Sequence, residues 1–372
     1  LQPSLSVFLD ARTGGSLTSR ALFAQWLDAA AQRGDIEVLA ASQFDLALAQ
    51  ANAPALAWLD AALPPRRALA DACRAAALMQ QSGAAAASLS PLAAGLSILG
   101  APTWAPSTAA GTMVLIPTAR AAVFDRSRID ALSSIREGFA PYSDADIGWR
   151  LALRGLSVVQ ASPLEGAPSR TAASPIDSAR EQKQAITNQL RTLFTCAGEQ
   201  WLRRALPAAL ARIIALAAAH ATLDPRRFDF GAPPPTDLTL AVASVALLLA
   251  IEDFARTLPD LQTRRQHVQR TRTHDDHEIL PLFDRTAVDS DWRDVSGGGA
   301  DALCRILGVY DLLTPPTRPS TARAVPRGTW LGISTKPSSD PTEDIPGVSI
   351  IILTRLGPTH LPACLAALAA LE

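Results

Sequence analysis

Between residues 137 and 163 the chain reads "EGFAPYSDADIGWRLALRGLSVVQASP", and four of its side chains have the types and spacing of a reaction site: Tyr142, Asp144, Asp146 and Arg150. A carboxylate held at the start of a helix can take a proton from an attacking hydroxyl, because the helix fixes its position. Arg150, one turn beyond Asp146, is spaced to hold a carboxylate in place. The same residues also admit a structural reading. "SDAD" is a capping-box pattern, with Ser143 as N-cap, Asp146 at the third helical position, and both acids favourable against the positive helix end. The two readings are compatible.

Other chemically capable residues are fewer. Asp10 closes the apolar run "SLSVFL", where it could meet a ligand or form a turn. His267, His274 and His277 lie in "HVQRTRTHDDHEILPLF" beside Asp275 and Asp276. A His-x-x-His spacing suits two metal ligands on one helical face, but no third ligand is implied, and a solvated charged segment is the preferred reading. Arg264, Arg265, Arg270 and Arg272 make a basic helix face without interleaved aromatics. That argues against single-stranded nucleic acid and for a solvated face or contact with a neighbouring domain. "SGGG" (296–299) lacks the Lys-Ser/Thr ending of a phosphate loop and reads as a linker, and no nucleophile-elbow pattern occurs.

The elements that must position these residues follow from periodicity and punctuation. "SLSVFL" (4–9) predicts a buried strand, "RALFAQWLDAAAQRG" (20–34) a helix stopped by Gly34, and "DIEVLAAS" a second strand, which is the order of an α/β layer. Residues 47–87 are Ala-rich and predict mostly helix, 88–110 a loop, "GTMVLI" (111–116) a strand, and "PTARAAVFDRSRIDAL" a helix with Pro117 in its first turn. The amphipathic helical pattern behind Ser143 is followed by Gly155 and a short β-like run to Pro163. Residues 165–175 read as loop, 178–222, 238–257 and 260–272 as helices, and 224–237 as a break. Pro, Ser and Gly make 314–330 and 334–347 linker-like. "VSIIILTRLG" then predicts a strand and turn, followed by helix to the end.

Composition bounds the rest. With 372 residues and 48% hydrophobic content, the chain is long enough for two or more packed domains. A formal net charge of −1 gives no basic field for nucleic acid. Lys183 and Lys336 are the only lysines, so Arg carries nearly all positive charge. Cys73, Cys196, Cys304 and Cys364 are scattered, with no CxxC, and predict buried thiols in a reducing compartment. The apolar stretches 206–223 and 238–251 fall short of the roughly 20 residues a membrane-spanning helix needs and predict buried helices. A Leu start without a signal pattern and a C-terminus inside a helical pattern suggest a piece of a longer protein.

Three stretches together resemble family 2 glycosyltransferases, the inverting nucleotide-sugar enzymes of GT-A fold. "GTMVLIPTARAAVFD" resembles that family's Gly-led strand followed by a helix ending in Phe. "EGFAPYSDADIGWRLALRG" is similar to its aromatic–Glu–Asp–x–Asp–Leu–x–x–Arg–Leu segment, closed by Gly and a strand ending in Pro; the matching positions are Tyr142, Asp144, Asp146, Ile147, Arg150, Leu151, Gly155 and Pro163. "GVSIIILTRLGPTHLPACLAAL" resembles the first strand, nucleotide-binding turn and first helix of such a domain. "REQKQAITNQLRTLF" and "RRQHVQRTRTHDDHEILPLF" are similar to the helical region C-terminal to the catalytic domain in bacterial members. The likeness touches roughly half the chain.

The resemblance implies a GT-A-like mixed sheet flanked by helices over residues 1–165, a helical extension over 166–312, a linker over 313–345, and a second, truncated transferase-like domain from 346. It implies Asp144 as catalytic base, with Tyr142, Asp146 and Arg150 on the acceptor side or supporting it. Asp10 and Thr354 are the implied nucleotide contacts. The expected partners are a nucleotide-sugar, a glycan acceptor and the second domain, without nucleic acid or a transmembrane segment, in the cytoplasm or at the inner face of the membrane. Mg²⁺ or Mn²⁺ is the cofactor the family implies, held by an acid pair that ends a central strand. Aligned on Trp58 and Leu59 as a helix start, those acid positions fall at Ala49, Gln50 and Ala51, with Asp45 the nearest acid. On that alignment the first domain is degenerate at the metal motif. A non-catalytic domain that binds glycan or scaffolds an active partner is the alternative. Two further departures are the absence of a His after Pro163 and Leu356 where a polar residue is expected.

Overall fold

The N-terminal apolar run forms β1 (Leu5–Asp10), and helix α1 (Ser16–Ala31) carries the chain to β2 (Ile36–Leu39), parallel to β1. The computed structural model describes residues 4–10, 16–39, 47, 49–60, 63–90, 92–106, 109–117, 121–130, 132, 142–162, 179–221, 241–284 and 288–313. The chain then returns to the other side of β1 as β3 (Ala55–Asp60), again parallel. Helix α2 (Pro65–Ser82) leads to β4 (Ala86–Ser88). A separate hairpin of β5 (Leu92–Leu96) and β6 (Pro102–Pro106) comes next, then β7 (Met113–Val114), β8 (Ala121–Asp125), α3 (Arg126–Asp130), α4 (Ser143–Leu153) and β9 (Val158–Gln160). Seven strands form one mixed sheet in the order β2-β1-β3-β8-β4-β9-β7. Only β8 and β7 run antiparallel to their neighbours.

Four local expectations are corrected here. The Ala-rich 47–87 stretch is helical over α2 but also contains the central strand β3, and "AAVFD" is the strand β8 rather than helix. The alternation of β3 explains why. Ala55, Ala57 and Leu59 join one core cluster with Val7, Leu69 and Val123, while Leu56 and Trp58 face a second with Phe8, Phe124 and Ile147. A strand buried on both faces needs small and apolar residues throughout, so tertiary packing overrides the helical preference of alanine. The 88–110 stretch holds the β5–β6 hairpin, and the "GTMVLI" strand shrinks to two residues at the sheet edge.

Helices α5 (Ala179–Cys196), α6 (Glu199–His220), α7 (Val242–Arg256), α8 (Leu258–Thr271) and α9 (Asp276–Ile279) come after the sheet, then α10 (Ser290–Ser296) and α11 (Gly299–Ile306). "SGGG" is therefore a tight turn between α10 and α11 rather than a linker. The helices share a core with the sheet part. Trp149 of α4, Trp201 of α6 and Phe283 form a triangle of rings with centroids 4.8–5.0 Å apart. Such contacts add about 0.5–1.5 kcal/mol each beyond area burial. Trp201 Nε1 also donates to the carbonyl of Ile98 at 2.7 Å. Among the described residues no helix is long and apolar enough to cross a membrane. The expected loops at 165–175 and 224–237, both late linkers, Thr354, Leu356, Cys364 and the second transferase-like start lie outside the described residues.

Candidate functional site

The sheet topology marks one edge for a ligand. From β1 the chain moves one way to β2 and then back past β1 to β3, so the strand order reverses between β1 and β3. In open α/β sheets ligands bind outside the carboxyl ends of strands at such a reversal. The register places Asp10 directly beside Asp60, the last residues of β1 and β3. Neighbouring strands lie about 4.8 Å apart, so two acids end side by side where a polar ligand would meet the sheet.

The register bears on the helix start expected at Trp58 and Leu59. Trp58 and Leu59 are interior residues of β3, not a helix start, so the acid ending the central strand is Asp60. Ala49, Gln50 and Ala51 lie ahead of that strand, and Asp45 lies outside the described residues. Position 62, two beyond Asp60, is alanine. The signal for Asp60 was the sequence "ALAWLDAALPP", an apolar run closed by an acid and two prolines, and its alanines concealed it.

Helix α4 carries the Tyr142–Arg150 group. Its C-terminal end joins the beginning of β9 through Gly155, which takes φ 69°, and β9 runs parallel to β4. Ile147 and Leu151 pack on the sheet with Phe124 and Val158. Eleven helical residues span about 16 Å, so α4 runs back across the sheet and starts towards the carboxyl edge of β4 and β9. Close approach is needed along the way, because a Cβ at Gly148 would run into the carbonyl oxygen of Leu115.

The start of α4 differs from a capping box. Tyr142, not Ser143, is the N-cap; it takes φ 100°, and no side-chain cap bond forms. Its carbonyl accepts from Asp146 N at 3.2 Å, while its hydroxyl donates to the carbonyl of Gly100. Asp146 cannot cap because its side chain turns inward. It is 2% exposed; Asp146 Oδ2 lies 2.9 Å from Arg150 Nη2 and 3.8 Å from Arg264 Nη2, and Thr192 Oγ1 donates to its Oδ1 at 3.2 Å. Asp144, two residues earlier, is half-buried and accepts from Ala145 N at 2.9 Å. Residues i and i+2 do not share a helix face, so only Asp144 of the pair is available to a solute.

No family model matches this chain, and no curated protein matches it.

The basic face of α8 is a joint between helices. Arg265 Nη1 donates to the carbonyls of Phe194 and Ala197 at 2.5 Å, and Gln269 Nε2 to those of Thr195 and Cys196 at 3.0 Å, so both close the C-terminal end of α5. Burial lowers the Arg265 pKa from its ordinary value, against the attraction of Glu199. Arg272 Nη2 pairs with Asp276 Oδ1 at 2.8 Å, and that carboxylate accepts from Gly198 N at 3.1 Å. The backbone NH groups of Thr273 and His274 donate to the carbonyl of Leu153 at 2.8 and 3.1 Å, and the His274 ring lies where Gly155 leaves no side chain. His267 and His277 are exposed, and among the described residues no group of three or more His, Cys, Asp or Glu could hold a metal ion. A shallow surface notch with room for about one water lies beside Arg150, Arg154, His267 and Arg272 at the C-terminal end of α4, away from Asp144. Cys196, packed against the Asp146 network, has its thiol pushed up to about 12 by burial and then by the charge of Asp146. It is an inert thiol.

Proposed function

We propose that the protein is a glycosyltransferase-like protein of GT-A type, akin to family 2 enzymes, that moves a sugar from a nucleotide-sugar donor to a glycan acceptor in bacterial surface polysaccharide assembly. The observation supporting this most is the pairing of Asp10 and Asp60 in register at the reversal of the sheet. A nucleotide diphosphate would lie outside these strand ends, with Asp10 towards the nucleotide. Asp144 would take the acceptor hydroxyl proton as that oxygen attacks the anomeric carbon. The new C–O bond forms as the bond to the diphosphate breaks, its electron pair leaving with the phosphate oxygen, and the anomeric centre inverts. Asp60 would be the residue to hold Mg²⁺ or Mn²⁺ together with the donor, since such ions are commonly held by one or two carboxylates plus substrate. When bound, the ion supplies positive charge for the departing diphosphate. A cytoplasmic setting and a second transferase domain in the same chain belong to the same reading.

Ala62 favours a second reading, in which the sheet binds glycan or supports an active partner without catalysing transfer. Calorimetry with UDP-, GDP- and dTDP-sugars, with and without Mn²⁺, and donor hydrolysis separate the two. Under the first, one donor binds, Asp60→Asn removes the Mn²⁺ dependence, and Asp144→Asn lowers turnover about 10²–10⁴-fold while binding persists. Glycan binding with no donor binding supports the second. A protein that binds neither donor nor glycan refutes both.

A further inference from the structure

We infer that Arg264 and Thr192, from the helices beyond residue 179, are positioning residues for Asp144 and act on it through Asp146. This rests on the sugar-transfer reading of Asp144. Both ends of α4 are tied to α8 and the segment that trails it. At the N-terminal end Arg264 Nη2 lies 3.8 Å from Asp146 Oδ2, and Thr192 of α5 donates to Oδ1 of the same carboxylate at 3.2 Å. At the C-terminal end the NH groups of Thr273 and His274 close on the carbonyl of Leu153 at 2.8 and 3.1 Å. α4 therefore has little freedom to slide along its axis or to turn about it. Arg264, Arg150 and Asp146 are at most 10% exposed at their side chains, so the tie is held in a low-dielectric interior where charge-assisted contacts are directional. Asp146 points away from Asp144's side of the helix and reaches no solute; its effect on chemistry passes through the backbone of the first turn. The helices after the sheet are thus part of the reaction site rather than an appendage. A base displaced by about 1 Å loses roughly 10²-fold in rate without loss of donor affinity, because the donor meets β1 and β3 instead.

The test is donor hydrolysis by the full chain carrying Arg264→Met, Arg264→Lys or Thr192→Val, with kcat, KM for the donor and Tm recorded for each. The expected result is a kcat about 10–100-fold lower in Arg264→Met with KM within about two-fold of wild type, and partial recovery in Arg264→Lys. Thr192→Val keeps side-chain shape and lowers kcat in the same direction, so it carries the test should Arg264→Met fail to fold. Wild-type kcat in a folded Arg264→Met or Thr192→Val protein overturns the inference and leaves the sugar-transfer reading standing. A folded wild type that turns over no donor overturns that reading, and the inference with it.

Discussion

Replacing Asp146 by asparagine removes a carboxylate that Arg150 and Arg264 both face, at a site 2% exposed. The amide keeps the shape and one acceptor for Thr192, so packing is preserved and the change is electrostatic. Breaking a buried pair from one side costs about 3–5 kcal/mol, because the remaining charge stays desolvated. At roughly 2–4 °C per kcal/mol, that is a fall in Tm of about 10 °C. Arg264→Met has a different consequence, since the 2.9 Å Asp146–Arg150 pair remains; about 1 kcal/mol or less is expected. The Asp146→Asn/Arg264→Met double variant should then be more stable than Asp146→Asn alone, because one of two facing guanidinium groups is gone. Thermal unfolding followed by circular dichroism reads all three. An Asp146→Asn Tm within about 2 °C of wild type, or a double variant less stable than the single, refutes the claim that this carboxylate neutralises the cluster.

Gly148→Ala pushes a methyl into the Leu115 carbonyl, and overpacking of that kind costs about 1–3 kcal/mol; an unchanged Tm would mean that α4 does not approach the Leu115 backbone closely. Glu37 has its pKa lowered: burial works against the charged form, but hydrogen bonds from Ser6, from Asn52 and from the Ala53 backbone outweigh it. A lowered folded pKa contributes stability above the ordinary value of 4.5 that is lost as pH falls through the folded value, so wild type and Glu37→Gln should converge in Tm in acid and differ by less than about 1 kcal/mol at neutral pH. Burial pushes the Cys196 and Cys304 thiols up to about 12 and about 11, so iodoacetamide at mildly alkaline pH should spare both in the native protein and label both in guanidinium, as read by peptide mass. Native labelling of Cys196 would contradict its burial.

The helices at 179–196, 242–256 and 258–271 and the strand at 5–10 were legible because each has a long period or a clean apolar run with punctuation. The α/β character came from the same signals. β3 and β8 were not, since alanine-rich strands buried on both faces show no alternation of polarity and carry a helix former's composition. That single ambiguity hid Asp60 as the acid that ends a strand. Spacing identified Asp146 and Arg150 as an i,i+4 pair, and the sequence alone determined that carboxylates stand at the start of that helix. Whether those acids cap, catalyse or anchor is a matter of direction, and direction came from partners far along the chain. Thr192 and Arg264 draw Asp146 inward, Tyr142 takes a left-handed turn that displaces Ser143 from the cap, and strand register sets Asp10 beside Asp60. Local propensity fixes which segments are regular. Only long-range packing fixes which of their side chains meet.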